Sequence, residues 1–343
     1  MAVHLRFKRR LRLLHEADII RVVTDLSGDT SLPAGEVFEH LLVALEGDPE
    51  EGLLRADLSR RMNADGQVVV ALLDRLFQLK LLERFDPEVD RSSRFDRQLL
   101  LFDALAPVDD HALNIARQKR LADAHVLILG LGGIGHQVAL SLAAAGVGHL
   151  TLVDADVVEE SNLHRQVLFA ADAVGRPKVE AARDGLLRIA PSCTVDTERT
   201  MVHCEEDWRT LIGSHPVVRH VMLSADKPVQ LVNWLSDARR THNYHFIKCG
   251  YMSAQGLIGP LLGPDTCGYE ALFASWGDLI DAQPGPIKAF NNKAAAPTMA
   301  ASNAIMANIA ALELIKHITG IGPLTTLEQR LLLDLRDYSV HPG

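Results

Sequence analysis

The segment from 125 to 156 decides the fold: it begins HVLILGLGGIG (His125–Gly135) and ends LTLVDAD (Leu150–Asp156). The apolar run before the first glycine predicts a strand that is buried on both faces, as in a parallel sheet. The glycines of the turn are Gly130, Gly132, Gly133 and Gly135. They allow a tight turn and a close approach of the backbone to phosphate, with the amino end of the next helix directed at it. The segment therefore predicts a Rossmann-like nucleotide-binding unit.

An acidic residue strengthens this prediction. Asp154 closes the second strand about 20 residues past the turn, where a carboxylate accepts hydrogen bonds from ribose hydroxyls. A glycine turn by itself could merely pack a helix against a strand. The addition of Asp154 favours nucleotide binding.

The polar residues that follow indicate which nucleotide. They are Asn162, Arg165, Gln166 and Lys178. Arginine makes bidentate contacts to phosphate and lysine adds a point charge, so this series suits a triphosphate better than a dinucleotide used for hydride transfer. Val217–Ser224 predicts another buried strand, and Asp226 follows it at the carboxyl end, where it is a candidate Mg²⁺ ligand. Each residue alone could be a solvated surface charge, but the ordered series favours an ATP site.

From Arg94 to Leu335 the sequence resembles the ThiF-type, ubiquitin-activating-like adenylating enzymes. The resemblance rests on an ordered series: RFDRQ (94–98), the glycine turn, LVDAD (152–156), SNLHRQ (161–166), GRPK (175–178), SADKP (224–228) and a helix at Ser302–Thr319. It implies that Asp154 binds the ATP ribose and that Asp226 binds Mg²⁺. The residues that would surround the triphosphate are Asn162, Arg165, Gln166 and Lys178. Arg97 resembles an arginine that reaches the γ-phosphate from a partner subunit, which implies a homodimer.

The positions of the cysteines indicate which branch of the family the sequence resembles. Many bacterial members hold a structural zinc with two CxxC pairs, but Cys193, Cys204, Cys249 and Cys267 are not spaced in this way. Because a tetrahedral zinc site needs four ligands, we expect no zinc. The crossover loop, placed at Asp281–Met299, contains no cysteine, which argues against thioester transfer. Two lysines of that loop are candidates for contact with an acidic substrate or ATP, the alternative being solvated lysines: Lys288 and Lys293.

Residues 1–90 are predicted to form a small α+β winged helix-turn-helix domain ahead of an α/β, Rossmann-like adenylation domain at 91–343. Short strand patterns precede a turn and helix start at Ser31–Glu36. Further helical patterns follow, including Leu53–Met62, and Leu81–Phe85 is a candidate wing strand. The resemblance here is to leader-recognition domains of enzymes that modify ribosomally made peptides. Such domains bind the leader as an added strand on a sheet edge.

A basic run between Arg6 and Arg12 lies in a predicted strand rather than in a recognition helix, so it favours DNA binding only weakly. We expect its exposed face to suit an acidic leader peptide. A dimerisation domain or a purely structural appendage is the alternative. The net charge of −9 and the absence of a signal-like or membrane-length apolar run predict a cytoplasmic enzyme, without membrane or nucleic-acid partners.

The combined expectation is ATP-dependent modification of a ribosomally made precursor peptide in natural product biosynthesis. A peptide carboxylate would be activated as an acyl adenylate or acyl phosphate, for cyclisation or dehydration. Within the family the resemblance is closer to enzymes of the pantocin A type than to those of the microcin C type. The alternatives are an adenylyltransferase for a ubiquitin-like sulfur-carrier protein and a nucleotide-sensing DNA-binding regulator.

Overall fold

The computed structural model describes residues 4–23, 29–33, 35–46, 53–54, 65–86, 93–273, 282–287 and 297–343. The chain divides into two compact units, Met1–Lys119 and Arg120–Gly343. Within the described residues, none of the helices combines the length and the apolar character that crossing a membrane would require.

The N-terminal unit contains two three-stranded sheets. Its strands are β1 (His4–Phe7), β2 (Arg12–Glu16), β3 (Ile19–Val23), β4 (Asp29–Pro33), β5 (Leu53–Leu54) and β6 (Leu82–Phe85). Its helices are α1 (Glu36–Glu46), α2 (Gly66–Gln78), α3 (Asp96–Leu105) and the start of α4 (Ala112–Asp123). The strand orders are β5-β1-β6 and β2-β3-β4, antiparallel throughout. Both sheets contribute to one apolar core with α1 and α2.

Two predicted helical segments of this unit need correction. The segment from Ser31 to Pro33 belongs to strand β4, and the helix begins only at Glu36. The predicted helix Leu53–Met62 is wrong at its start, because Leu53 and Leu54 pair with β1, and its remainder lies outside the described residues. The winged helix-turn-helix therefore stays a prediction.

The expectation of an exposed basic strand face is wrong for three of its members. Arg6 and Lys8 are each 3% exposed. Arg6 Nε donates to Glu83 at 2.8 Å, and Lys8 Nζ and Arg10 Nε both donate to Asp103 at 2.6 Å. Burial raises the pKa of Asp103, but the hydrogen bonds from Lys8 and Arg10 outweigh it and the pKa is lowered. These charges bind other parts of the same unit because a buried cation requires a paired anion.

The C-terminal unit is built on an eight-stranded sheet. Its strands are β7 (His125–Leu129), β8 (His149–Val153), β9 (Thr194–Glu198), β10 (His220–Leu223), β11 (His245–Met252), β12 (Gln255–Leu262), β13 (Leu331–Asp334) and β14 (Val340–Pro342). The order is β14-β13-β12-β11-β10-β7-β8-β9. The five strands from β11 to β9 are parallel, and β12 to β14 are antiparallel. The predicted α/β class with a Rossmann-like sheet is confirmed at this level.

Helices cover the sheet. They are α5 (Gly135–Ala144), α6 (Lys178–Ile189), α7 (Glu205–Ser214), α8 (Leu231–His242), the short α9 (Tyr269–Leu272) and α10 (Ala300–Thr319). All five residues of β7 are buried, as the apolar run predicts for a central parallel strand. Helix α10 packs against α5, β11 and β12. Trp208 and Tyr244 are fully buried in the core, and the indole donates to the Tyr244 hydroxyl at 2.9 Å.

Candidate functional site

Three glycines of the turn after β7 are required by close packing. Gly130 has a φ of 94°, and a Cβ there would lie 2.7 Å from the backbone nitrogen of Ala225. A Cβ on Gly135 would lie 1.9 Å from the Gly130 carbonyl oxygen. A Cβ on Gly133 would lie 2.1 Å from Nδ2 of Asn303 in α10. At Gly130 and Gly135 a side chain would meet backbone atoms, and at Gly133 it would meet the side chain of Asn303.

Gly132 differs from these three glycines. No protein atom lies within 4 Å of the position that its Cβ would take, and Gly132 lines a cavity of about 320 Å³. The cavity lies at the carboxyl ends of β7, β8 and β10, where open parallel sheets place their ligands. Its lining residues are Leu129, Gly130, Gly132, Val153, Asp154, Ala155, Asp156, Lys178, Thr200, Met201, Val202, Ser224, Ala225, Asp226, Lys227 and Leu231. Five of the residues singled out in the sequence thus share one cavity: Gly130, Gly132, Asp154, Lys178 and Asp226.

Asp154 connects the glycine turn to the segment that follows β8. Its Oδ2 accepts a hydrogen bond from the Leu131 backbone nitrogen at 2.6 Å, and its Oδ1 accepts one from the Asp156 nitrogen at 2.8 Å. Each oxygen of an ionised carboxylate has two lone pairs, so both keep acceptor capacity toward the cavity. The carboxylate therefore fixes the glycine turn and can still accept hydrogen bonds from a ligand.

Lys178 is held at the wall by an ion pair. It is the first residue of α6, and its Nζ donates to Asp156 at 2.8 Å. The Lys178 side chain is only 7% exposed, whereas that of Asp156 is 70% exposed. A mostly buried ammonium at the edge of a cavity is a fixed positive charge that a phosphate can approach.

Asp226 is placed by the residue two positions before it. Ser224 Oγ donates to the Gly130 carbonyl at 2.7 Å, and the Ala225 backbone nitrogen donates to Leu129. The segment after β10 is thus fastened to the glycine turn, and Asp226 is exposed beside the cavity. Carboxylate oxygen is a ligand that Mg²⁺ favours.

Asn162, Arg165 and Gln166 do not line this cavity. Asn162 is 5% exposed, and its Oδ1 accepts from the Glu159 backbone nitrogen in a short 3₁₀ turn. Gln166 is 2% exposed, and its Oε1 has no hydrogen-bond partner among the described residues. Arg165 donates to the Ser161 carbonyl at 2.6 Å and lines a second cavity of about 220 Å³, together with Gly133.

Three further candidates lie elsewhere. Arg97 belongs to α3 of the N-terminal unit, and its role toward a partner's phosphate stays a prediction. Lys288 and Lys293 lie outside the described residues. The four cysteines are free, Cys193 and Cys249 being buried and Cys204 and Cys267 exposed.

The sequence reading missed part of the cavity wall. Thr200, Met201 and Val202 line the cavity directly after β9, whose polar sequence pattern does not predict ligand contact. Met201 is 46% exposed, so it offers apolar surface to a planar ring. The carboxyl end of every parallel strand is a candidate for ligand contact, and that rule would have found this segment.

Lys248 was also missed. It lies in β11 in register with Leu223, the last residue of β10, and so stands near Asp226. Burial and the charge of Arg330 together lower the pKa of Lys248 to about 8, against the opposing effect of the Asp226 carboxylate. The Lys248 ammonium lies 5.5 Å from the Tyr269 ring centroid, and Arg330 donates to the Tyr269 hydroxyl at 2.7 Å. Lys248, Arg330 and Tyr269 form a basic cluster, which reaches Asp226 through Lys248.

A parallel-rich sheet with a glycine turn and a charged cavity at its carboxyl edge is the arrangement of a Rossmann-like α/β protein. The chain belongs to the ThiF family, whose model matches residues 95–341. It is similar to the adenylyltransferase and sulfurtransferase MOCS3 of Drosophila sechellia, at 32% identity over 245 residues. This match covers 71% of this chain and 49% of MOCS3, so the chain spans about half the length of that relative. The molybdopterin-synthase adenylyltransferase of Salmonella typhimurium is 41% identical over 125 residues, 36% of this chain and 46% of that protein.

Solved structures share the fold over nearly the whole chain. The microcin C7 biosynthetic enzyme MccB in complex with N-formylated MccA has a TM-score of 0.81 at 24% identity, covering 99% of this chain and 96% of MccB. Escherichia coli MccB with ATP has a TM-score of 0.79 at 24% identity and the same coverage. PaaA has a TM-score of 0.73 at 24% identity and covers 98% of both chains. At these identities the similarity shows the fold alone.

Proposed function

We propose that this protein binds Mg-ATP in the cavity at the carboxyl edge of the sheet and uses it to activate a carboxylate of a ribosomally made peptide. The observation that carries the proposal is the convergence of Gly132, Asp154, Lys178 and Asp226 on that single cavity. The open face of Gly132 leaves room for phosphate, and Asp154 accepts hydrogen bonds from the ribose. Asp226 holds Mg²⁺, which neutralises phosphate charge when bound.

The reaction requires positioning and charge more than a base. A carboxylate is already ionised at neutral pH, so no proton must be removed before it attacks. One of its oxygens forms a bond to the α-phosphorus while the bond from that phosphorus to pyrophosphate breaks. The products are an acyl adenylate and pyrophosphate. Lys178 contributes positive charge where negative charge accumulates.

The basic cluster beside Asp226 recognises the substrate carboxylate. Lys248, which lies near Asp226, and Arg330 are the two cations of this cluster, and the Arg330 guanidinium donates to the Tyr269 hydroxyl at 2.7 Å. Charge-assisted hydrogen bonds of this kind orient a carboxylate more firmly than neutral ones. A nucleophile of the same peptide then attacks the activated carbonyl carbon, AMP leaves, and a ring or dehydrated product forms.

The N-terminal unit binds the leader of that peptide as an added strand. The β2-β3-β4 sheet has β2 and β4 at its two edges among the described strands. An edge strand has backbone groups that another chain can pair with, and exposed side chains such as Leu14, at 46%, give specificity. The similarity in fold to MccB, solved with N-formylated MccA, and to PaaA supports a peptide substrate of this kind.

The test is mass spectrometry of a short peptide encoded beside the gene, incubated with the enzyme and Mg-ATP. We expect a peptide that loses about one water per event, because a carboxylate is activated and then displaced. AMP and pyrophosphate are expected in the same run. If ADP and phosphate are found instead, the activated intermediate is an acyl phosphate and not an acyl adenylate. An unmodified peptide with ATP unconsumed contradicts the proposal.

A second candidate is adenylation of the carboxyl end of a sulfur-carrier protein. The curated relatives with the sequence matches reported above, MOCS3 and molybdopterin-synthase adenylyltransferase, favour it. Pyrophosphate exchange into ATP separates the two. Exchange that depends on a ubiquitin-like protein ending in Gly-Gly supports this candidate, and exchange that depends on the short peptide supports the first.

A further inference from the structure

Three histidines converge at the edge of the sheet opposite to the candidate nucleotide cavity. His220 and His245 are the first residues of the adjacent strands β10 and β11, and their Cα atoms are paired in register. His317 lies in the last turn of α10, the helix that packs on β11. One ligand nitrogen from each ring lies within 4.8 Å of the other two. The cavity lies at the carboxyl ends of these strands, so the two places are separate.

The three rings are packed together and not spread over the surface. The ring centroids of His245 and His317 are 4.3 Å apart, and those of His220 and His317 are 5.4 Å apart. The His245 ring lies directly on Gly263, where a Cβ would be 2.2 Å from its Cδ2 atom. A side chain at that position would displace the ring from the group.

One nitrogen of the group lacks a partner. Nδ1 of His220 is buried and has no hydrogen-bond partner in the part of the chain that the structure describes. Buried polar atoms are nearly always paired, so the unpaired Nδ1 of His220 is available to a ligand. Imidazole nitrogen that is neither protonated nor hydrogen-bonded is a common metal ligand in proteins.

The surroundings of all three rings disfavour the protonated form. Burial lowers the pKa of His220 to about 3 and that of His317 to about 4, and it also lowers the pKa of His245. Two nearby charges act in opposite directions: Arg219 lowers the pKa of His220, and Asp265 raises that of His245.

We propose that His220, His245 and His317 bind a divalent transition metal ion, with Zn²⁺ as the chemical type that suits them. Three imidazoles and one water complete a tetrahedral zinc site. Zinc–nitrogen bonds of about 2.0–2.1 Å place two ligand atoms about 3.4 Å apart, so small side-chain rotations bring these nitrogens into range. The ion links β10, β11 and α10. The site is distinct from the cysteine zinc site that the sequence lacks, and it revises the expectation of no zinc, which rested on cysteine spacing alone.

The test is a titration of the full, untagged chain with Co²⁺ after removal of metal with a chelator. We expect visible absorption of a four-coordinate site that saturates at one Co²⁺ per chain and is displaced by Zn²⁺. Thiolate charge-transfer absorption, which would indicate cysteine ligands, is expected to be absent. Added Zn²⁺ should also raise the Tm, since it binds the folded state.

Variants locate the site. His317→Ala and His245→Asn should each abolish the saturable absorption and the rise in Tm, with circular dichroism reporting whether each variant is folded. His149→Gln is the matched control, because His149 is likewise the first residue of a strand of this sheet, yet it pairs with Asp196 outside the group. Wild-type protein without a saturable step, a thiolate band, or equal loss in His149→Gln would each overturn the proposal. Unchanged binding in a folded His317→Ala or His245→Asn variant would do the same.

Discussion

Two adjacent glycines of the turn after β7 have opposite surroundings. Gly132→Ala adds a methyl group where no protein atom lies within 4 Å, so we expect folding to be unaffected and the KM for ATP to rise about tenfold or more, because the methyl occupies phosphate space. Gly133→Ala is the control: its methyl would meet Asn303 Nδ2 at 2.1 Å, and we expect a loss of stability of about 1–3 kcal/mol. Thermal unfolding and ATP kinetics check both. Equal KM values for wild type and Gly132→Ala would mean that phosphate does not approach this face.

Lys248 gives a pH-dependent prediction. Its pKa of about 8 means that the ammonium is charged below this pH and lost above it. If it holds the substrate carboxylate, kcat/KM for the peptide falls as pH rises through about 8. Lys248→Met should reduce that value about 10–100-fold at pH 7, the loss expected for one charge-assisted hydrogen bond, with the KM for ATP little changed.

The conservative variant of Lys248 separates charge from packing. Lys248→Arg keeps a cation whose charge persists well above pH 8, so the fall in kcat/KM should move to higher pH. A wild-type profile that is flat between pH 7 and 9 would remove Lys248 from substrate binding and leave it a packing role against Tyr269.

At the scale of elements, two further histidines lie at the starts of β7 and β8. His125 and His149 stack with centroids 3.6 Å apart, and His125 Nε2 is 2.7 Å from Thr151 Oγ1. Burial, with the charges of His149 and His215, lowers the pKa of His125 to about 4, against the opposing effect of Asp196. The folded state thus keeps His125 neutral at pH values at which the unfolded chain binds a proton.

The sign of the pH effect follows from this difference. The unfolded chain takes up the proton near pH 6.5, so stability falls as pH drops from about 6.5 toward 4 and is unaffected above 6.5. The free energy of unfolding falls by up to about 1.4 kcal/mol for each pH unit. For a structural unit of the size of Arg120–Gly343 this lowers the Tm by about 3–5 °C. Thermal unfolding of wild type and His125→Gln between pH 4.5 and 8 checks it. The variant should lose part of the slope, and identical slopes would assign the effect to other groups.

At the scale of the whole molecule, the predicted role of Arg97 across a homodimer can be tested by mixing inactive variants. Arg97→Ala and Asp226→Asn should each be inactive alone. If Arg97 completes the partner's site, random mixed dimers contain one intact site each, and about a quarter of wild-type activity returns. Pyrophosphate exchange is the measurement.

A double variant is the control for that mixture. Mixing Arg97→Ala with a chain that carries both Arg97→Ala and Asp226→Asn should restore nothing, because no site then has both residues. If Arg97 acts on its own subunit, the first mixture also stays inactive. That outcome would contradict a composite site while leaving the ATP cavity unaffected.

The sequence by itself determined the central unit of the fold and the outline of its site. The glycine turn, Asp154 and Asp226 follow strand ends at short range, and the geometry of parallel strands directs all such ends to one edge of the sheet. Short-range motifs of this kind depend on local backbone conformation, so they can be read before any long-range contact is known. The family and the α/β class follow from the same residues.

Only the tertiary structure decided which distant side chains meet. Lys248 and Arg330 are far apart in sequence and have no recognisable spacing, yet the strand order brings Lys248 close to both Arg330 and Asp226. The basic run near the N-terminus looked exposed, but Arg6 and Lys8 are buried against Glu83 and Asp103. Strand pairing and burial are set by contacts across the whole unit. A period of two along one strand therefore cannot tell which face is covered, nor which carboxylate pairs with a buried cation.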